Sequence, residues 1–184
     1  MHIDLTLPLV PKMIEDPMGN PSLAGHWGTH FDVMDKEFPL DYTRRKGLVF
    51  DVSGVTDRDI EISDIDLSAV EESMFVAFYT GFASKVGYGT PGYFTAHPQL
   101  SNELIYALVE RGISIIAVDF AGIRRGKEHV PIDQYCADRG VFVIENLFHL
   151  DTVLEQGGPF IAHIYPMNFT GMTGLPCRVI AELP

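Results

Sequence analysis

Basic residues, cysteines and long apolar runs are what this 184-residue chain has little of. Thirteen Lys and Arg stand against 25 Asp and Glu, a formal net charge of −12. A chain this acidic repels phosphate backbones, which argues against general DNA or RNA binding and says little about small molecules. The two cysteines, Cys136 and Cys177, lie far apart with no metal-type spacing. They make no disulfide framework and suit a reducing interior. No apolar run approaches the roughly 20 residues of a membrane-spanning helix. The opening MHIDLTLPLV lacks the basic-then-apolar order of a secretory signal. The expectation is a cytoplasmic protein with a small-molecule substrate and with neither nucleic-acid nor membrane partners. Two common catalytic devices are also missing. There is no G-x-S-x-G nucleophile elbow, and GIRRGKEH lacks the spacing of a phosphate-binding loop.

What is present fits an ordinary globular domain spanning 1–184, with 46% hydrophobic and 21% charged residues. Ile3 to Leu7 reads as a short strand. Pro8 to Gly25, rich in proline, reads as an irregular connection. GLVFDVS (47–53) and MFVAFYT (74–80) read as strands flanking an acidic surface segment. LSNELIYALVERG carries the strongest helix signal: Ser101 can cap, Leu104, Ile105, Leu108 and Val109 follow a helical period, and Gly112 can stop it. The apolar run ISIIAVDF follows. The pattern recurs with a helix over Asp133 to Arg139 ended by Gly140, the strand VFVIE, a helix over Leu150 to Gln156, and the strands GPFIAHIYP and CRVIAELP. Helix–glycine–strand units predict an α/β fold with a mixed sheet.

The stretch GHWGTHFDVMDKEFP (25–39) concentrates metal-binding chemistry. His26, His30 and Asp32 suit a divalent ion, Zn²⁺ or Mn²⁺ among them. In a straight strand, residues four apart lie about 13 Å apart at roughly 3.3 Å per residue, too far to share one ion. In a helix Asp32 points away from His30. A turn at Gly28 is therefore required if the three are to meet. The alternative is a glycine loop whose histidines make ordinary hydrogen bonds. Glu145, at the C-terminal end of VFVIE, is the strongest further candidate, because ligands of α/β sheets gather at such ends. His129, Asp133 and His149 are near it in sequence, where capping roles compete. Gly87 to Phe94 (GYGTPGYF) reads as a substrate lid or a turn-rich surface.

HWGTHFD resembles the H-x-G-T-H-x-D signature of the cyclase family of metal-dependent hydrolases, which includes bacterial kynurenine formamidase and isatin hydrolase. IDLT, FYTG, LVERGISIIAVDFAGI, ADRGVFVIENLFHLDTV and GLPCRVIAEL are similar to further segments of that family, so the resemblance runs nearly end to end. It implies a swivelling β/β/α fold with a mixed sheet and few helices, assembled as a homodimer or homotetramer, with one or two divalent metals. It implies His26, His30 and Asp32 as ligands of one metal, with Asp32 bridging to a second that Glu145 also holds. This chain departs from the pattern at three positions. Met34 and Lys36 stand where the signature has proline and a third histidine, the group assigned to proton transfer. Asp133 stands where a later histidine ligand falls, twelve residues before Glu145.

The resemblance implies hydrolysis of a small amide, lactam or lactone, as in an arylformamidase. A proton carrier is then needed. Lys36 serves only if its pKa falls well below about 10.4, and His129 is the alternative. The departures leave open a metal-dependent lyase or isomerase, and a member that binds a small molecule without turnover.

Overall fold

The computed structural model describes residues 1–7 and 25–184. The irregular connection expected over Pro8 to Gly25 lies, except for Gly25, outside the described residues. The strands are β1 (His2–Asp4), β2 (His30–Asp32), β3 (Arg44–Asp51), β4 (Phe75–Tyr79), β5 (Ile115–Val118), β6 (Phe142–Glu145), β7 (Phe160–Pro166) and β8 (Gly174–Glu182). The α-helices are α1 (Phe82–Val86), α2 (Pro91–Thr95), α3 (Asn102–Glu110), α4 (His129–Ala137) and α5 (Leu150–Gln156).

The strand order is β1-β8-β2-β6-β5-β4-β3-β7, and β7 pairs back onto β8. Seven strands therefore close into a barrel, with β1 lying beside β8 outside the ring. Strand β8 achieves this by pairing with β2 through Gly174 to Pro176 and with β1 through Ile180 to Glu182. From Cys177 to Glu182 it also pairs with β7. Strands β3, β4, β5 and β6 run parallel, and β2, β7 and β8 run antiparallel to their neighbours.

The period-2 geometry of the strands sorts the parallel block into two apolar faces. Phe75, Ala77, Ile115, Ala117, Phe142 and Ile144 join Phe31, Phe160, Ala162, Leu175 and Val179 in one cluster, fed by every strand of the ring. Val76, Phe78, Ile116, Val118 and Val143 face the other way, onto Leu104, Ile105 and Leu108 of α3 and Ile132 and Cys136 of α4. Helix α3 starts as its sequence predicts, with Ser101 Oγ accepting the Leu104 N–H at 3.1 Å. It ends at Gly112, whose φ of 68° suits glycine.

The helix expected over Asp133 to Arg139 is corrected at both ends: it is α4, which begins at His129 and ends at Ala137. Pro131 hides this start from sequence reasoning. A proline in the first helical turn is tolerated, because the N–H it lacks has no partner within the helix. The earlier start changes which side chains share a face of α4, and that matters for the site.

Candidate metal centre

The elbow forms because Gly28 takes a left-handed turn, φ 57°, before the short strand β2. Residues His30 and Asp32, two apart on β2, point to the same side of the sheet. The turn brings His26 back to them. His26 Nδ1 lies 3.0 Å from Asp32 Oδ1, and His30 Nε2 lies 3.4 Å from the same oxygen. Pairing then adds Glu145: His30 and Glu145 stand directly opposite each other across β2 and β6. Their side chains meet at 3.4 Å, His30 Nε2 to Glu145 Oε2.

Helix α4 supplies a second group of donors. His129 and Asp133 are four apart, so one helical face presents both. His129 Nε2 lies 3.3 Å from Asp133 Oδ2 and 3.6 Å from Glu145 Oε1. Two triads result: His26, His30 and Asp32, and His129, Asp133 and Glu145, each with its donor atoms within 4.8 Å of one another. Their neighbourhood is the C-terminal end of β6, where sequence reasoning places ligands.

The backbone fixes the histidine tautomers. His30 Nδ1–H donates to the Gly28 carbonyl at 2.9 Å, and His129 Nδ1–H donates to the Arg124 carbonyl at 3.1 Å. In the neutral ring each Nε2 then carries a lone pair aimed into the carboxylates, the posture of a metal ligand. A network behind the elbow holds it in place. The Asn146 amide donates to the Gly28 carbonyl (2.8 Å), Tyr93 O–H donates to Asn146 Oδ1 (2.8 Å), and Thr29 O–H donates to the Asn146 carbonyl (2.7 Å). Tyr88 Oη accepts the Gly28 N–H at 2.8 Å. The aromatic, glycine-rich loop thus packs two tyrosines against the elbow, Tyr93 being wholly buried. That loop also spells Gly87-x-Gly89-x-x-Gly92, but it follows helix α1 rather than a strand, so it lacks the context of a nucleotide-binding turn. Sequence reasoning missed Asn146, Tyr88 and Tyr93 as supports; the one signal was Asn146 directly after the strand-end glutamate.

The charges in this site are out of balance. His30, Asp32, Asp133 and Glu145 are all at least 96% buried. Burial opposes a charged His30, but Asp32 and Glu145 outweigh it and lift the imidazole to about 9. Burial also opposes the Asp32 carboxylate, yet His30 and His26 hold it well below the usual range. Glu145 is pushed up to about 8 by burial and by the Asp32 charge. Asp133 is raised well above the usual carboxylate range by burial, Asp32 and Glu145. Despite the short separations, His30 Nε2, both Asp32 oxygens, Asp133 Oδ1 and Glu145 Oε1 make no aligned hydrogen bond. Buried unpartnered carboxylates are costly unless paired or metal-bound. A divalent cation suits this donor set, because it supplies the positive charge that several converging oxygens and imidazole nitrogens lack.

Lys36 stands in the opposite environment from the one a proton carrier needs. Its Nζ is 2.8 Å from Asp35 and 2.7 Å from Asp138, and these hydrogen-bonded carboxylates raise its pKa. It lines a cavity of about 600 Å³ with Phe38, Leu40, Met167 and Phe169, none of them a member of either triad. His129, expected as a proton carrier, stands with Asp133 and Glu145 instead. His149 precedes α5 with φ 57° and joins neither triad. Arg124 is tied to Asp59 and Glu128.

Residues 3–124 match the model of the family described as "Putative cyclase". Similar solved structures include a potential metal-dependent hydrolase with cyclase activity, at TM-score 0.77 and 23% identity, covering 100% of this chain and 99% of that one. A predicted metal-dependent hydrolase from Bacillus stearothermophilus has TM-score 0.77 and 22% identity, covering 98% and 97%. Isatin hydrolase A from Labrenzia aggregata, bound to benzyl benzoate, has TM-score 0.77 and 19% identity, covering 98% and 93%. At these identities the likeness establishes the shared fold. No curated protein sequence matches the chain.

Proposed function

The chain belongs to the cyclase family, and from that premise we propose that it is a metal-dependent hydrolase of a small amide, lactam or lactone. The observation that carries this reading is the meeting of two triads, each with two of its three members buried, and of five polar atoms lacking aligned partners, at one strand end. His26, His30 and Asp32 would hold one divalent cation, zinc or manganese, and His129, Asp133 and Glu145 would hold a second. A cation there supplies Lewis acidity, polarising a substrate carbonyl and lowering the pKa of water.

The chain's own groups do the rest. The Gly28 and Arg124 carbonyls fix the His30 and His129 rings. Tyr88 accepts the Gly28 N–H and keeps its own proton, which is then free for a substrate oxygen. The arylformamidase-like choice of substrate belongs to this proposal and not to the fold. So does a homodimer or homotetramer, supported by the exposed Leu40, Tyr165, Met167 and Phe169 and checked by light scattering. A cytoplasmic setting is supported by two free, buried cysteines. No described helix is long and apolar enough to cross a membrane.

The test is metal content after purification and after reloading, followed by a screen of aryl formamides, lactams and lactones with and without chelator. Chelator-sensitive turnover is the expected result. A chain that takes up no stoichiometric divalent metal sinks the reading. The ion-paired Lys36 motivates a second reading, a lyase or isomerase at the same centre, because the group at the proton-transfer position differs from the histidine of the family signature. Elimination products in the same screen would decide for it.

A further inference from the structure

We infer that the two triads are unlike metal sites: the elbow triad holds a zinc-type ion, and the α4 triad favours a harder cation of Mn²⁺ type. The inference rests on the hydrolase reading for the presence of metal and goes beyond it in assigning different ions to the two sites.

The donor sets differ in kind. The elbow offers two imidazoles and one carboxylate, His26, His30 and Asp32. The α4 site offers one imidazole and two carboxylates, His129, Asp133 and Glu145. Imidazole suits zinc, whereas carboxylate oxygen suits Mn²⁺ and Mg²⁺. The position twelve residues before Glu145 carries an oxygen donor, and the nitrogen comes instead from one turn earlier on the same helix. The i, i+4 spacing makes that exchange sterically simple.

The second site is built, not merely acidic. Asp133 is 3% exposed, with Oδ1 unpartnered, and Glu145 Oε1 is likewise buried and unpartnered. His129 Nε2 closes on both carboxylates, at 3.3 and 3.6 Å, while its Nδ1–H is spent on the Arg124 carbonyl. The His129 side chain is 31% exposed and His26 at the elbow 25%, so water reaches one edge of each site and the donor sets, not exposure, distinguish them.

Zinc outcompetes manganese at most sites in absolute affinity, so the test limits zinc. Metal-free full-length protein receives one equivalent of Zn²⁺ and is then titrated with Mn²⁺. The free Mn²⁺ electron paramagnetic resonance signal and the metal content after desalting are followed. The expected product holds one zinc and one manganese per chain. Asp133→His should weaken Mn²⁺ binding at least tenfold and admit a second zinc. Should that variant fail to fold by circular dichroism, His129→Asn serves: it should weaken Mn²⁺ at least tenfold while the first zinc stays. Unchanged Mn²⁺ affinity in a folded variant, or wild-type protein that carries its one zinc and excludes Mn²⁺, overturns the inference and leaves the hydrolase reading standing. A chain that binds neither ion fails the hydrolase reading itself.

Discussion

At the scale of single residues, several buried polar groups have a definite hydrogen-bond partner. His97 is one such group outside the centre. It is 2% exposed, stacks on Phe120 and donates Nδ1–H to the Pro98 carbonyl at 2.8 Å. Burial pushes its pKa down to about 4, below an unfolded value of about 6.5. The native state therefore binds fewer protons than the unfolded chain between these values. Its stability is full above about pH 6.5 and is lost as the pH falls towards 4, by about 3 kcal/mol in all. His97→Asn keeps a donor near the Pro98 carbonyl and removes the titration. Urea unfolding at a series of pH values should show the variant's stability falling less steeply over this interval. Equal slopes in both proteins would show that other groups carry the acid sensitivity.

At the scale of elements, much of the scaffold was legible and part of the site was not. Helices α3 and α5 follow from apolar period, a serine cap and terminal glycines, which are local signals. The buried strands follow from continuous apolar runs. The elbow was legible as a geometric demand, since three ligands so spaced cannot meet without a turn, and Gly28 makes it. The pairing of His129 with Asp133 was not legible, because the sequence reading starts that helix at Asp133, whereas α4 begins at His129 with Pro131 in its first turn. Closure of the barrel was hidden too, since it depends on β8 pairing on both edges with strands distant in sequence. Two glycines also carry information that residue patterns alone do not, one in the loop before α4 and one at the start of β8. A Cβ at Gly122, where φ is 99°, would strike the His129 ring and the Arg124 carbonyl, the latter at 2.9 Å. A Cβ at Gly174 would meet His26 Cε1 at 2.7 Å. The elbow thus has a glycine behind His26, the more exposed of its two histidines, and the α4 triad has one behind His129, its single histidine. Gly122→Ala should lower affinity at the α4 site by roughly 10- to 100-fold and spare the elbow, and Gly174→Ala should do the reverse. Calorimetric titration of the two variants, each with the other site as internal control, checks both outcomes.

At the scale of the whole molecule, the centre joins parts of the chain that are far apart in sequence. His26 to Asp32 come from the elbow, His129 and Asp133 from α4, and Glu145 from the end of the parallel block. In a chain of formal charge −12, Asp32, Asp133 and Glu145 add buried carboxylates that repel one another. Without a cation, burial and the neighbouring carboxylates push Glu145 and Asp133 towards their neutral forms, and the links between elbow, helix and strand weaken. Metal binding should therefore act as a cross-link specific to the folded state. A hundredfold excess over the dissociation constant stabilises that state by about 3 kcal/mol. At this chain length each kcal/mol moves the melting temperature by roughly 2–4 °C, so chelation should lower it by roughly 6–12 °C. Differential scanning calorimetry with and without chelator measures the shift. Hydrogen exchange then locates it: protection should fall in β2 and α4 and persist in β4 and β5, whose apolar contacts do not involve the centre. A melting temperature unmoved by chelation would mean that the cation is not part of what holds the elbow against the barrel.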